Sequence, residues 1–239
     1  MSETRQAFHE ELARLETQAL GALDMIIAAL GRALEALKHQ DVELAEIVIA
    51  DDDRIDGRYL EVHQGILTLL ATQAPVATDL RQVMALVRMV AEIERSADLC
   101  ANICKATRRI WGHDLDPKLR GIISSMGQQA RQLYTAAIDA FTASDLAKAS
   151  AIDDMDSYLD SLQKQFIQAI FESHAAGRID LQVAVQLAMV ARFYERIGDH
   201  AVTISQRVQF IITGWLPENK GAERFRNRRD DTAEVALER

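Results

Sequence analysis

Proline, glycine and cysteine are scarce in this sequence, and long apolar runs are missing altogether. Three prolines and eleven glycines in 239 residues leave little to interrupt a helix and speak against a strand-and-turn architecture. The two cysteines, Cys100 and Cys104, stand one helical turn apart. They cannot staple distant elements, so they fit a reducing compartment and read as small core residues. No stretch approaches the ~18 apolar residues that span a bilayer, so any membrane role comes through a partner. The start, MSETRQAFHEEL, lacks the apolar segment of a secretory signal. The expected location is the cytoplasm.

Positive charge is also in deficit. The formal net charge is -9 and the pI about 5.2, which removes the counterion-release drive toward nucleic acid. One basic stretch, Arg224, Arg226, Arg228 and Arg229, is interleaved with Glu223, Asp230 and Asp231 and reads as a solvated tail. Chemistry-bearing motifs are missing as well. There is no Ser/His/Asp arrangement, Gly-rich phosphate loop or Cys-x-x-Cys site. No glutamate has a histidine three residues on, as di-metal oxidases on helical bundles require.

What is present is an ordinary globular composition, 49% hydrophobic and 26% charged with a mean hydropathy of -0.08, at a length that buries a sizeable core. Breaks at Gln40-Asp41, Pro75, Asp116-Pro117, Ser144-Asp145, Gly177 and Gly214 to Pro217 predict six helices, over residues 5–39, 42–73, 78–112, 117–143, 145–176 and 179–213. Asp116 caps and Pro117 takes the first helical position. Thr78-Asp79 is expected to cap the third helix, and Gly177 and Gly214 to end helices. Leu80, Met84, Val87 and Ala91 illustrate the 3- and 4-residue apolar spacing, and Met84, Met89, Met126 and Met189 read as core filler. Short connections make neighbours antiparallel.

The pattern then repeats. Residues 80–103 align with 181–204 at an offset of 101, pairing Leu80, Leu86, Glu94, Arg95, Asp98 and Ile103 with Leu181, Leu187, Glu195, Arg196, Asp199 and Ile204. Glu43-Leu44-Ala45 corresponds to Asp145-Leu146-Ala147, and Asp56 to Asp156. The expected fold is all-α: two tandem pseudo-symmetric three-helix bundles over residues 5–113 and 116–214, with a charged tail at 217–239.

Within each unit the carboxylates do not fit a simple surface. Glu94 and Asp98 share one helix face. Measured from the polar stripe of that helix, Asp98 turns away by about 90° and Glu94 by about 130°; in the sixth helix Asp199 turns by about 80° and Glu195 by about 120°. Asp52 and Asp56 lie about as far before Pro75 as Glu94 and Asp98 lie after it, and Asp153 and Asp156 stand likewise to Glu195 and Asp199 across Gly177. Equal distances from a turn mean equal height in an antiparallel pair, so each unit brings four carboxylates to one level. Such a cluster needs positive charge nearby. An all-oxygen set suits magnesium, manganese or iron, with zinc a less usual occupant. The alternative is pairing with Arg54, Arg58, Arg95 and Arg196, with the acids along a partly exposed seam. His200, beside Asp199, reads as a solvated histidine rather than a ligand.

Ala191-Arg192-Phe193-Tyr194-Glu195-Arg196-Ile197-Gly198-Asp199 resembles the Glu-Arg-Ile-Gly-Asp motif of the PhoU family, phosphate-specific transport system accessory proteins. Glu94-Arg95-Ser96-Ala97-Asp98, the Ala77-Thr78-Asp79-Leu80-Arg81 turn and Ala45 to Asp56 look like the same family. The likeness covers roughly residues 8–216. It implies a cytoplasmic, dimerising, non-catalytic negative regulator of the phosphate-starvation response. Its implied partners are the ATPase subunit of a phosphate ABC transporter and a membrane sensor histidine kinase. It implies metal at Asp52, Asp56, Glu94 and Asp98 in the first unit and at Asp153, Asp156, Glu195 and Asp199 in the second, with Arg95 and Arg196 beside them. Ser96-Ala97 departs from the family's Ile-Gly, and the three-residue spacing of Asp153 and Asp156 leaves Asp154 or Asp160 as substitutes. The competing reading is a carboxylate-bridged di-metal bundle for redox chemistry or storage.

Overall fold

The computed structural model describes residues 3–216, and the expected tail at 217–239 lies outside them. Six helices account for the described chain: α1 Glu3–His39, α2 Val42–Thr72, α3 Ala77–Arg109, α4 Pro117–Ala143, α5 Leu146–Ala175 and α6 Leu181–Thr213. Asp41, Asp116, Asp145 and Asp180 each accept a backbone N–H at the start of a helix, replacing a partner that the first turn lacks. Gly214 closes α6 in the left-handed conformation. The start of α3 departs from expectation. Its cap is Val76, which offers no side-chain bond, and Asp79 instead faces His9 and Arg5 of α1, at 3.4 and 3.7 Å. Tertiary ion pairing has recruited the residue that sequence assigned to the cap.

Helices α1, α2 and α3 pack on one another, as do α4, α5 and α6, and the two triplets join through α3 against α6 and α1 against α4. Among the described residues α2 touches only α1 and α3, and α5 only α4 and α6. The helices therefore form a row, α2–α3–α6–α5, with α1 and α4 laid across one side. Ser96 meets His200 at 3.1 Å while Arg109 meets Gln186 at 3.3 Å. Residue numbers rise along one helix as they fall along the other, so α3 and α6 run antiparallel. The two bundles are thus related by a pseudo-twofold between Ala97 and Gly198, and one apolar core runs through both.

The row has a second consequence. Val83, Leu86, Val90, Ile93 and Ala97 form the buried stripe of α3, whereas Leu80 and Met84 are 41% and 42% exposed. Met89 and Met126 are core, as expected, but Met189 is exposed like Met84. The periodicity of Leu80, Met84, Val87 and Ala91 is helical, but its first two members are exposed and its last two only half-buried. With α1, α2 and α6 already against α3, that sector is left to solvent.

Candidate functional site

The exposed stripe of α3 continues, at the same 3- and 4-residue spacing, into Glu94 and Asp98. In α6 the stripe of Leu181, Val185 and Ala188 continues likewise into Glu195 and Asp199. Both pairs sit where their helix meets its outer neighbour. Glu94 and Glu195 are half-buried and Asp98 and Asp199 exposed, the order the angular estimate predicts.

Across the α2/α3 seam, Asp52, Asp56, Glu94 and Asp98 act on one another. Burial first, then the charges of Asp98 and Asp56, push the Asp52 carboxyl up to about 6. Asp56 and Glu94 are also raised, by burial first and then by Asp98. These carboxylates are thus near enough to raise one another's proton affinity.

In the α5/α6 seam the membership changes. Burial, then Asp160, Asp199, Asp153 and Glu195, push Asp156 up to about 7. Glu195 is raised by burial and then Asp199, and Asp199 by burial against the opposing pull of Arg192, with Asp160 acting on both. Asp160 thus reaches three of the acids, while the exposed Asp153 reaches only Asp156. The fourth carboxylate is Asp160, one turn beyond Asp156 and on the same face. That i,i+4 relation is the signal by which sequence can select it.

The arginine alternative is not what the side chains do. Arg54 pairs with Asp51, Arg58 with Glu61 and Arg95 with Glu92, each an i,i+3 contact on its own helix rather than a bridge into a cluster. Arg95 is therefore not a partner of Asp98, and Arg196 reaches Asp199 only through its field. One arginine does engage: Arg192, unremarked in the sequence, donates to Glu195. The other oxygen of Glu195, with Asp52 Oδ1 and Asp156 Oδ1, is buried and has no hydrogen-bond partner among the described residues.

Gly198 shows how tightly the second seam closes. A Cβ there would overlap Asp156 Oδ1 and lie 2.8 Å from Leu159 Cδ2, so a glycine lets α5 approach α6 and delivers the carboxylate.

His200 corrects a second expectation. It is 6% exposed, locked between α3 and α6 with its Nδ1 3.1 Å from Ser96 Oγ and 3.3 Å from the Glu92 carbonyl. Ser96 Oγ also donates to the Glu92 carbonyl at 2.8 Å and meets the Tyr134 hydroxyl. A histidine next to an acid looks solvated in sequence. The neighbouring bundle buries it.

These clusters fit a hard or borderline cation by donor chemistry: four carboxylates each, unpartnered inward oxygens, and proton affinities raised by burial and then by neighbouring carboxylates. As placed, no three acidic, histidine or cysteine side chains among the described residues converge on one point. Asp52, Asp56, Glu94 and Asp98 would hold one cation site, and Asp156, Asp160, Glu195 and Asp199 the other.

Known proteins supply the context. The family model described as "PhoU domain" matches residues 21–107 and again 123–208, in step with the internal repeat. A Mycobacterium leprae protein described as phosphate-specific transport system accessory protein PhoU homolog 1 is 34% identical over 216 residues, covering 90% of this chain and 96% of that one. A Clostridium acetobutylicum PhoU homolog is 30% identical over 215 residues, 88% of this chain and 96% of its own. Among solved structures, the phosphate transport system regulatory protein PhoU from Streptococcus pneumoniae superposes with a TM-score of 0.80 at 25% identity, covering 87% of this chain and 98% of that one. PhoU from Pseudomonas aeruginosa, at 23% identity, gives 0.82 over 87% and 100% and shows the fold.

Proposed function

The chain belongs to the PhoU family, and on that premise we propose that it is a non-enzymatic accessory protein of phosphate transport that restrains the phosphate-starvation response. In this reading it is cytoplasmic and homodimeric. It acts by contact, linking the ATPase subunit of a phosphate ABC transporter to a membrane sensor histidine kinase. No helix among the described residues is long and apolar enough to cross a membrane, so the membrane is met through those partners.

The observation that carries the reading is the duplicated carboxylate seam on the outer side of an antiparallel helix row. An unpaired acidic cluster of this kind is destabilising by itself. A divalent or trivalent cation (iron, manganese, magnesium or zinc) would supply the missing positive charge and tie each outer helix to the row. Asp52 and Asp56 would hold α2 to α3 through Glu94 and Asp98. Asp156 and Asp160 would hold α5 to α6 through Glu195 and Asp199. The protein's own part is to present these oxygens on two helices at one height, with Arg192 on Glu195 the one arginine paired to them among the described residues. The redox-bundle alternative is disfavoured because the acids occupy two solvent-facing seams rather than converging inside one bundle core.

The test is a phosphate-starvation promoter reporter in a strain lacking this gene, grown in high phosphate. The expected result is a reporter that is on without the protein and off when the gene is restored. A reporter that stays off in both strains refutes the regulatory reading.

A further inference from the structure

Where α1 turns into α2, the chain clamps one exposed ring at the end of α3. Gln40 adopts the left-handed conformation after α1, with φ 52°, and its side chain reaches across to the turn that follows α3. Its carbonyl oxygen accepts the Gly112 N–H at 3.1 Å, and its amide donates to the Ile110 carbonyl at 3.4 Å and to the His113 carbonyl. Ile110 is fully buried, and Gly112 turns the chain at φ 82°, where glycine is at no disadvantage. Between these two anchors Trp111 is held outward, 66% exposed. No aromatic ring or cation stacks on it among the described residues. Exposed apolar residues are ordinary on a surface. A tryptophan whose two neighbours are clamped is instead preorganised for an interface, where tryptophan is enriched.

Beside the ring lies a pocket of about 560 Å³, lined by Gln40, Asp41, Val42, Glu43, Arg108 and Trp111. The bases around it are already engaged. Arg108 is held by Glu46 at 3.0 Å, Lys38 and His39 by Glu35, and Arg109 donates to Gln186. Two acids are not. Asp41 caps α2 through Oδ1 alone, Glu43 is exposed, and neither has an ion pair among the described residues. Two helices, α1 and α3, end beside the pocket and one, α2, begins there, so the helix ends also favour a cation.

We propose that this pocket receives a lysine or arginine side chain from a basic segment of a partner protein. The cation lies over the face of Trp111, the aromatic ring that attracts cations best. Asp41 and Glu43 supply the counter-charge, and the aliphatic stem covers Val42. An anionic lipid surface is the competing partner for an exposed tryptophan, and the two unpaired carboxylates repel it. The carboxylate seams are separate: Asp52 lies about 15 Å up α2 from Val42, and Asp98 about 20 Å back along α3 from Trp111. Trp111 falls between the two segments that the PhoU model matches, 21–107 and 123–208, so the ring belongs to this chain's own linker. The inference rests on the reading that the protein acts by contact, and adds where one contact is made and by what chemistry.

The test uses the full chain with Trp215→Phe, which leaves Trp111 as its one indole. It is titrated with a short peptide of lysine, arginine and leucine, blocked at both ends. The control is the same peptide with acetyl-lysine and citrulline in place of the bases. The expected result is a saturable change in Trp111 emission with the charged peptide alone, weakened about threefold or more by Glu43→Gln. In the reporter strain, at equal protein level, Trp111→Ala is expected to leave the promoter on where wild type turns it off. The titration is read at Trp111 itself, so it decides the inference even where the reporter refutes the regulatory reading. No saturable change, an equal change with the neutral peptide, an unaltered affinity in Glu43→Gln, or full repression by Trp111→Ala overturns the inference. So does a change that phosphatidylglycerol vesicles produce and the peptide does not, which would make the ring a membrane contact.

Discussion

Replacing Asp156 by asparagine should make the metal-free protein more stable at pH 8 and less stable at pH 3. The carboxyl sits near 7 in the folded protein against an ordinary value of 3.8. Folded protein therefore holds this proton more tightly than unfolded chain, and stability falls as pH rises from about 4 through about 7. Above about pH 8 the whole penalty is present. A shift of about 3 units corresponds to a ceiling of ~4 kcal/mol, and solvent screening of a half-buried group brings it to ~2 kcal/mol. Asparagine removes that repulsion but leaves a polar amide where Oδ1 already lacks a partner, at a cost of ~1 kcal/mol. The balance is a gain of ~1 kcal/mol at pH 8. Near pH 3, where the carboxyl is protonated in the folded and the unfolded chain alike, only the loss of ~1 kcal/mol remains.

For a chain of this size each kcal/mol moves the melting temperature by roughly 2–4 °C. Wild type and variant should therefore cross between pH 3 and pH 8 when melted in excess chelator, with urea titrations to confirm an unchanged m-value. Added manganese should reverse the order at pH 8, because wild type then gains a ligand that the variant binds less well. A variant that loses as much stability at pH 8 as at pH 3, in chelator, refutes the reasoning. It would mean that the folded protein already compensates the Asp156 charge.

Two further outcomes follow from the same geometry. Glu94→Ala with Asp98→Ala should cut manganese bound per chain to about half, by elemental analysis after equilibrium dialysis, since the α5/α6 seam is untouched; unchanged metal content would sink the assignment of that seam. Ser96→Ala should lower stability by ~2 kcal/mol at pH 7, because the Tyr134 hydroxyl and His200 Nδ1 lose their shared partner in a fully buried site. A melting temperature within a degree of wild type would show the network to be slack.

The duplication was legible because a 101-residue offset places acids upon acids and breakers upon breakers, and the helix bounds came out within about three residues of those observed. Equal heights followed from the rise per residue and the short turns, so the α2/α3 seam was readable in full. In the α5/α6 seam the sequence named Asp156, Glu195 and Asp199 but left Asp153, Asp154 and Asp160 as alternatives for the fourth acid. There the count of residues leaves a helix's phase open by a turn, and the side chain that faces the partner is settled by how closely Gly198 lets α5 approach.

Periodicity by itself determined that these residues form six amphipathic helices in two matched triplets, because 3.6-residue spacing and capping are local properties of the chain. What faces what was decided by the tertiary structure. Setting the triplets antiparallel, α3 against α6, buried His200, exposed the apolar stripe of Met84 and turned both carboxylate seams outward on one row. A helix carries its pattern in its own sequence, but which sector of that pattern loses water depends on neighbours that lie about a hundred residues away.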